Sequence, residues 1–282
     1  MTTAQPHAPE DALYRGAGSR RITVRDLAAA KARAEKWPML TAYDALTARV
    51  FDDAGIPVLL VGDSAAMVVY GHDSTIPVTV DELIPLTAAV VRGTRRALVV
   101  ADLPFGSYQA SVETAMTTAI RFLKETGAHA VKLEGGHRVL RCVEELVGAG
   151  IPVMAHLGLT PQSVNALGGY RVQGRGEEGE RLMQDAKSLQ AAGAFALVLE
   201  CVPADLAARV TQALAIPTIG IGAGPECDAQ VLVWQDMAGL SPKVAKFAKR
   251  YADMAGLLGA AARSFGDEVA AGAYPTPEYS YR

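Results

Sequence analysis

Lys132 and Glu134 stand out in the segment VKLEGG because the residues before and between them, Ala130, Val131 and Leu133, are apolar. Side chains of a strand alternate between its two faces, so the lysine and the glutamate share one face. A fixed cation beside a carboxylate can balance an acidic site and stabilise negative charge that develops during a reaction. A plain ion pair and a Schiff-base lysine are the alternatives that this segment leaves open.

Other polar residues follow apolar runs in the same way, each near the C-terminal end of its run. They are Tyr43, Asp44, Asp63, Ser64, Asp102, His156 and Glu200. Alternation groups Asp63 with Leu59 and Val61, and it groups Asp102 and Glu200 with the apolar residues two positions before them. If these faces point inward, we expect several carboxylates to converge on one mouth.

Converging carboxylates repel one another unless a positive charge neutralises them. Asp63, Asp102 and Glu134 carry hard oxygen ligands that suit Mg²⁺, and the sequence lacks a Cys/His set for Zn²⁺. A single Asp at a strand end is typical of a cap, a turn or an ion pair. Three carboxylates at one edge favour a metal site instead, so we predict Mg²⁺ binding there.

Glu200 directly follows the apolar run ALVL, so its carboxyl group emerges from a buried strand. Burial raises the pKa of a carboxyl group, which suits a general base, whereas a supporting role behind another residue is the alternative. His156 is compatible with structural hydrogen bonding and with substrate orientation. Cys201 adjoins Glu200, but nothing in the sequence lowers the pKa of its thiol, which favours a packing role.

The residues that would position these groups form eight short apolar runs, most of them separated by amphipathic, Ala-rich stretches. The runs span 39–44, 58–64, 97–104, 130–136, 153–160, 196–202, 218–224 and 231–236. Alternating strands and helices indicate parallel strands joined by right-handed crossovers. Eight such strands predict a closed (β/α)₈ barrel, the TIM barrel, whose active sites lie at the C-terminal ends of the strands. Residues 225–230 are too few for a helix, so an open doubly wound α/β sheet is the alternative fold.

The ends of the chain lack this regular pattern. We predict a flexible arm over 1–20, a single barrel domain over 21–271 and an irregular tail over 272–282. Thr23 and Asp26 form a capping-box pattern, which predicts a helix over 24–36. The tail contains three tyrosines, which could dock on a neighbouring molecule.

The segment GGYRVQGRG, residues 168–176, is rich in glycine and contains Arg171 and Arg175. This composition is typical of a pliable loop, and both a lid over the mouth and a plain surface loop fit it. As a lid, the loop could bring one of its arginines to an anionic group of a substrate.

Composition excludes several classes of protein. The 282 residues are 50% hydrophobic and 20% charged, with a net charge of −3, so no basic patch indicates nucleic-acid binding. Three cysteines without a CxxC pair indicate free thiols in a reducing compartment. No secretory signal pattern and no charge-free apolar run long enough for a membrane span are evident. We therefore expect a soluble cytoplasmic protein that binds neither membranes nor nucleic acid.

Six blocks of the sequence together resemble one enzyme family. They are VGDSAAMVVYGHDSTIPVT, ADLPFGSY, VKLEGG, HLGLTPQSVNALGGYRVQGRG, LVLECVP and IGIGAGPECDAQVLVWQD. From about Trp37 to Gly239 the chain resembles the ketopantoate hydroxymethyltransferases, also called 3-methyl-2-oxobutanoate hydroxymethyltransferases. The arm and the tail match this family least well.

The resemblance implies a (β/α)₈ barrel of the phosphoenolpyruvate/pyruvate type and a particular set of site residues. It implies transfer of a hydroxymethyl group from 5,10-methylenetetrahydrofolate to 3-methyl-2-oxobutanoate, which gives 2-dehydropantoate for pantothenate and coenzyme A synthesis. By motif position, the Mg²⁺ ligands would be Asp63, Asp102 and Glu134, the oxoacid-binding residues Asp63, Ser64, Asp102 and Lys132, and the proton acceptor Glu200. The resemblance also implies a homo-oligomer, specifically a decamer.

Two other functions stay open at this point. A Mg²⁺-dependent lyase or aldolase that acts on a related oxoacid would use the same enolate chemistry, and an assay with and without methylenetetrahydrofolate separates it from the transferase. A barrel that only binds an oxoacid or a metal would catalyse no proton exchange at the substrate carbon.

Overall fold

Eight parallel strands pair in sequence order and close into a barrel, as the apolar runs predict. The structure is a computed structural model that describes residues 12–282 apart from 17 and 19. The strands are β1 (Trp37–Thr41), β2 (Val58–Val61), β3 (Leu98–Asp102), β4 (Ala130–Glu134), β5 (Val153–Gly158), β6 (Ala196–Glu200), β7 (Thr218–Ile221) and β8 (Ala229–Leu232). The closed order rules out the open sheet, because β1 pairs with β8 as well as with β2.

Helices follow most strands, as expected of a barrel with an outer helical layer. The helix α1 (Val24–Ala32) precedes β1, and those that follow strands are α2 (Ala45–Asp53), α3 (Ala65–Val68), α4 (Val80–Gly93), α5 (Val112–Arg121), α6 (Leu140–Gly148), α7 (Val164–Leu167), α8 (Glu177–Ala191) and α9 (Ala204–Ala213). A π-helical turn, Phe122–Thr126, extends α5, and 3₁₀ turns span His137–Val139 and Pro161–Ser163. The chain passes from β7 to β8 without a helix, as the short stretch 225–230 predicts.

The barrel interior is an apolar core that takes residues from every strand, among them Val58, Leu60, Leu98 and Val100. Leu13 and Leu27 belong to the same buried cluster, so residues ahead of β1 cover the N-terminal end of the barrel. Among the described residues, polar side chains therefore reach the interior only at the C-terminal ends of the strands. We call this end of the barrel the C-terminal rim.

The N-terminal helix starts where the capping box predicts, because the Asp26 carboxylate accepts the Thr23 N–H at 2.8 Å. It is shorter than the predicted 24–36, since α1 ends at Ala32 and Ala34 has a φ of 51°. Leu13, within the segment predicted to be a flexible arm, is buried and donates its N–H to Glu35 at 2.7 Å. The rest of that prediction, at residues 1–11, 17 and 19, lies outside the described residues.

Two compact units divide the chain, residues 1–233 with the barrel and residues 234–282. The second unit contains α10 (Trp234–Met237), α11 (Met254–Ala270) and a 3₁₀ turn, Pro277–Tyr279. Its tail folds on its own helix, since the rings of Tyr274 and Phe265 meet edge to face at 5.5 Å. The predicted domain 21–271 spans parts of both units, and its limits stay a prediction, as does docking of the tail on a neighbour.

Within the described residues, no helix has both the length and the apolar character needed to cross a lipid bilayer. The three cysteines are free thiols, as the sequence predicts.

Candidate active site

The register of four neighbouring strands brings the polar residues of the rim together. Asp102 on β3 lies opposite Lys132 on β4, and Glu134 on β4 lies opposite His156 on β5. Glu200 ends β6 opposite the last residue of β5. Because inward-pointing residues alternate along each strand, these side chains point into the barrel above its apolar core. Together with Asp63 they form a group that we call the rim cluster.

Lys132 is the buried cation at the centre of the rim cluster. Its Nζ lies 2.8 Å from both carboxylate oxygens of Asp102 and 3.6 Å from Oε1 of Glu134. Burial alone would lower the pKa of Lys132, but the carboxylates of Asp102, Glu134 and Asp63 outweigh it and raise that pKa. A Schiff-base lysine must lose its proton, so this environment favours a permanent ammonium group.

Asp63 reaches the rim cluster by a different route from the one that alternation predicts. The inward residues of β2 are Val58 and Leu60, so Leu59 and Val61 face outward. The prediction that Asp63 points inward together with Leu59 and Val61 is therefore wrong. The strand instead ends at Val61, and the turn that follows carries Asp63 inward, where its N–H donates to Oδ2 of Asp102 at 3.2 Å.

Asp63 is also the least compensated carboxylate of the rim cluster. Burial raises its pKa, and the neighbouring charges of Asp102 and Glu134 raise it further. The pKa of Asp102 is raised too, by burial, even though Lys132 opposes that change. Glu134 differs, because Lys132 and His156 overcome the effect of burial and lower its pKa.

His156 lies between two carboxylates. Its Nδ1 is 3.4 Å from Oε1 of Glu134, and its Nε2 is 3.4 Å from Oε2 of Glu200. Neither ring nitrogen makes a hydrogen bond of good geometry within the described part of the chain, so both contacts are charge contacts. Burial and Lys132 lower the pKa of His156, but Glu134 and Glu200 raise it to about 9. The imidazole is therefore a cation at neutral pH that links Glu134 to Glu200.

Glu200 is the most exposed carboxylate of the rim cluster, with 15% of its side chain accessible against 3% for Glu134. It can therefore meet a substrate that enters from the mouth. Its neighbour Cys201 is a poor nucleophile, because burial and the charge of Glu200 raise the pKa of the thiol to about 11.

Ser64 and Asp44 show that not every polar residue of the rim belongs to the cluster. Ser64 directly follows Asp63, is partly exposed, and its hydroxyl lies 2.8 Å from the hydroxyl of Tyr43. A side chain at Gly62 would come within 2.8 Å of Ser64 Oγ, so glycine keeps this turn tight. Asp44 instead caps α2 by accepting the N–H groups of Leu46 and Thr47, which is a structural role.

The donor set fits a hydrated divalent cation. Four carboxylates face two cationic groups in the rim cluster, and Oε1 of Glu134 has no hydrogen-bond partner within the described residues. Among the residues that the structure describes, however, no three His, Cys, Asp or Glu side chains are grouped tightly enough to hold a metal ion as they stand. Mg²⁺ commonly binds through one or two carboxylates with water completing its shell, and this arrangement suits that mode.

Gln162 and Tyr108 also belong to the site, and the sequence did not reveal them. The Gln162 side chain donates to Oδ2 of Asp63 at 2.9 Å, and the Tyr108 hydroxyl accepts the N–H of Glu134 at 3.0 Å. Both residues come from loops after strands, where no periodicity indicates direction. The only available signal for Gln162 was its place one residue after Pro161, directly beyond β5.

The glycine-rich loop 168–176 lies beside the mouth. The Tyr170 hydroxyl is 3.9 Å from the sulfur of Met67 on α3, and the Gln173 N–H donates to the carbonyl of Cys201 after β6. Charges of Glu200 and Asp63 contribute, after burial, to a raised pKa of Tyr170. The loop therefore reaches both sides of the rim cluster, although its predicted role as a lid stays a prediction.

Comparisons with known proteins agree on one family. The family model of ketopantoate hydroxymethyltransferase matches residues 21–277. A 3-methyl-2-oxobutanoate hydroxymethyltransferase of Thermobifida fusca is 70% identical over 98% of this chain and 99% of its own length. The protein of the same name from Streptomyces avermitilis is 62% identical over 99% of this chain and 98% of its own length.

Solved structures support the fold. A phosphonopyruvate hydrolase in complex with oxalate and Mg²⁺ has a TM-score of 0.60 at 12% identity and covers 93% of this chain and 92% of its own. A 2,3-dimethylmalate lyase of the PEP mutase/isocitrate lyase superfamily has a TM-score of 0.56 at 18% identity, with 92% coverage of each chain. At this identity the likeness concerns the fold alone, and it agrees with the closed (β/α)₈ barrel.

Proposed function

Because the chain belongs to the ketopantoate hydroxymethyltransferase family, and so is a transferase of pantothenate biosynthesis, we propose that it uses 5,10-methylenetetrahydrofolate as its one-carbon donor. The acceptor would be 3-methyl-2-oxobutanoate and the product 2-dehydropantoate. The observation that carries this proposal is the rim cluster, in which a buried ammonium lies between carboxylates and an imidazolium leads to Glu200.

Asp63, Asp102 and Glu134 would hold Mg²⁺, with Glu134 acting directly or through a water. The excess of carboxylates over cations supports this assignment, as does Oε1 of Glu134, which makes no hydrogen bond within the described residues. When bound, the ion would supply Lewis-acid polarisation of the oxoacid carbonyl, which lowers the cost of removing the proton at C3.

Ser64 and Lys132 would bind and stabilise the oxoacid, together with Asp63 and Asp102. Ser64 is partly exposed, and its hydroxyl lies 2.8 Å from that of Tyr43; when Tyr43 donates in this hydrogen bond, Ser64 can donate to the substrate carboxylate. Lys132 keeps its proton beside Asp102 and can therefore balance the negative charge that appears on the substrate as an enolate.

Glu200 would be the general base. Its partial exposure gives it access to the C3 hydrogen, and the imidazolium of His156 at 3.4 Å fixes its carboxylate. Once Glu200 has taken the proton, C3 of the enolate would form a bond to the methylene carbon as one C–N bond of the donor breaks, and the released nitrogen would take up the proton. Water would then replace the second nitrogen on that carbon, so that its hydroxyl completes the hydroxymethyl group and its other proton goes to the nitrogen of the departing tetrahydrofolate.

The loop 168–176 would cover the second substrate, and Arg171 or Arg175 would meet the glutamate tail of the folate. The position of Tyr170 against Met67, beside the mouth, supports this role. Limited proteolysis with and without both substrates tests it, since a lid should be cut more slowly when the substrates are bound. Equal rates would leave the segment as an ordinary surface loop.

Assembly as a homodecamer follows from the family resemblance and is part of the proposal. Light scattering should then give a mass ten times that of the 29.6 kDa chain.

The decisive assay of the reaction compares incubations with and without the folate donor. With Mg²⁺, the oxoacid and ¹³C-labelled methylenetetrahydrofolate, NMR should show the label in a new hydroxymethyl group of 2-dehydropantoate. A lyase or aldolase would instead make or break carbon–carbon bonds of the oxoacid without the folate, and a binding protein would turn over neither mixture.

A further inference from the structure

Gln162 is a buried residue that contacts two carboxylates of the rim, one in the turn after β2 and one at the end of β4. It lies in the 3₁₀ turn Pro161–Ser163 that follows β5, and only 4% of it is exposed. Its side-chain Nε2 donates to Oδ2 of Asp63 at 2.9 Å, and its backbone N–H donates to Oε2 of Glu134 at 3.1 Å. One residue thus holds both Asp63 and Glu134.

The side-chain amide of Gln162 is saturated with hydrogen bonds, which fixes its orientation. Its Nε2 donates to the carbonyl of Leu103 as well as to Asp63, and its Oε1 accepts from the Tyr108 hydroxyl at 2.7 Å and from Gln109 Nε2 at 2.9 Å. An amide has two N–H donors and two acceptor lone pairs, so all four are used. Glutamate could not donate to Asp63, and an apolar residue would leave each of these partners without its bond.

The hydrogen bonds of Gln162 also leave one oxygen of Glu134 without a hydrogen bond. Glu134 is held through Oε2, while Oε1 has no hydrogen-bond partner in the described part of the chain. Asp63 is held through Oδ2. Each carboxylate is therefore fixed through one oxygen. Oε1 of Glu134 lies 3.6 Å from Lys132 Nζ and 3.4 Å from His156 Nδ1 without a hydrogen bond, so it can accept one from a water of a partly hydrated cation.

We infer that Gln162 is a positioning residue for the divalent cation, acting by fixing the carboxylates of Asp63 and Glu134. This inference rests on the proposed function, because the cation is part of that proposal. Residues that orient metal ligands typically contribute about 10–100-fold to metal affinity. Gln162 does not itself have to touch the ion or the oxoacid.

The test is the affinity of the folded protein for Mn²⁺ or Mg²⁺ without substrates, measured by EPR and by calorimetry. Gln162→Met keeps the length of the side chain and removes its hydrogen bonds, so the affinity should fall by about 10–100-fold. The matched control is Gln190→Met. Gln190 accepts the N–H groups of Ala215 and Ile216 at 2.6 and 3.2 Å, ahead of β7 and away from the rim, so this variant should lose thermal stability but bind the ion as the parent does.

A second variant keeps the test valid if Gln162→Met does not fold. Tyr108→Phe retains the ring and removes the hydroxyl that donates to Gln162 Oε1 and accepts the N–H of Glu134, so it should weaken ion binding in the same direction by several-fold. If folded Gln162→Met or folded Tyr108→Phe binds Mn²⁺ as tightly as the parent, Gln162 has only a structural role, while the proposed reaction stands. If the parent itself binds no divalent cation, the metal of the proposed function fails, and the inference about Gln162 fails with it.

Discussion

At the N-terminal end of the barrel, buried carboxylates are surrounded by fixed donors, whereas at the C-terminal rim they face one another. Asp52 accepts the N–H groups of Arg95, Arg96 and Ala97 at distances of 2.6 to 3.1 Å. Asp228 accepts from the ammonium of Lys31 at 2.7 Å and from the N–H of Thr218 at 2.8 Å. Each of these two carboxylates accepts hydrogen bonds from donors on neighbouring segments, so each one stabilises the fold by connecting those segments.

The rim cluster contains the same residue types in a less satisfied arrangement. Asp63 carries a raised pKa because, after burial, the charges of Asp102 and Glu134 oppose its ionisation. Within the described residues, Glu134 Oε1 and both nitrogens of His156 have no hydrogen-bond partner. A buried charge without full compensation lowers stability, so its presence indicates a use for it. The difference between the two ends separates carboxylates that hold the fold from carboxylates available for chemistry.

The largest expected effect is removal of the metal. EDTA should abolish turnover of the parent and lower its thermal unfolding midpoint, because a cation that binds only the folded rim stabilises it by mass action. Asp63→Ala and Asp102→Ala should each lower Mg²⁺-dependent turnover at least about tenfold, and Glu134→Ala should have the smallest effect of the three if it acts through water. Turnover that survives chelation would show that the rim carboxylates serve another purpose.

Replacement of a buried lysine should have different consequences at the two ends. Lys132→Met removes the cation beside the reacting substrate, so turnover should fall by about 10²–10³-fold. Lys31→Met breaks the pair with Asp228 and should lower the free energy of unfolding without changing turnover of the folded protein. Steady-state kinetics and urea unfolding of both variants provide the comparison. If Lys132→Met changes only stability, the two lysines have the same structural role.

Replacement of a buried aspartate should change stability in opposite directions. Asp52→Asn weakens hydrogen bonds to three backbone N–H groups and should lower the free energy of unfolding by about 2–3 kcal/mol. Asp63→Asn removes a charge that its neighbours oppose and should raise it by about 1 kcal/mol, at the expense of activity. Urea unfolding at neutral pH without metal measures both. Destabilisation by Asp63→Asn would contradict the proposed lack of compensation at the rim.

Two histidines should make the free energy of unfolding depend on pH, and the two dependences should have opposite signs. The pKa of His156 is raised to about 9 from 6.5, so its contribution to stability is complete below about pH 6.5 and is lost as the pH rises through 9. His129, ahead of β4, has a pKa lowered by burial and then by Arg21, and its ring accepts the N–H of Val99. Its contribution is complete above about pH 6.5 and is lost as the pH falls toward its lowered pKa.

Unfolding of His156→Gln and His129→Gln across this pH range measures the effect. The stability advantage of the parent over His156→Gln should shrink by about 1 kcal/mol per pH unit between pH 7 and pH 9. The advantage over His129→Gln should shrink on the acidic side instead. If both advantages shrink on the same side, the environments of the two histidines do not differ as described.

Much of this arrangement could be predicted from the sequence because it depends on strand periodicity. The alternation of Lys132 and Glu134 in β4 is confirmed, and so is the inward face of Asp102 and Glu200. The same rule failed for Asp63, which lies beyond the end of β2, where the period of two no longer applies. Strands β1 and β8 begin two residues before the predicted runs. The prediction missed these residues because Pro38 and Gln230 are unusual in a strand, although the two pair with each other in the barrel.

The contacts that could not be predicted are those made by loop residues and those that depend on the register of three strands at once. Gln162 reaches Asp63 over 99 positions of sequence, and no local pattern encodes that distance. The link from Glu134 through His156 to Glu200 needs the register of β4, β5 and β6 at once, which apolar runs do not specify. The sequence therefore indicates which residues meet at the rim, but not which atoms compensate one another.

The most direct test of the central claim is hydrogen exchange at C3 of the oxoacid in D₂O, followed by NMR without any folate. The parent with Mg²⁺ should exchange this hydrogen, because the rim cluster alone forms the enolate. Glu200→Gln keeps the shape of the side chain and removes the basic oxygen, so it should still bind Mg²⁺ and the oxoacid but exchange about 10²–10⁴-fold more slowly. Exchange by Glu200→Gln at the parental rate would contradict the account, since the proton would then be taken by another group.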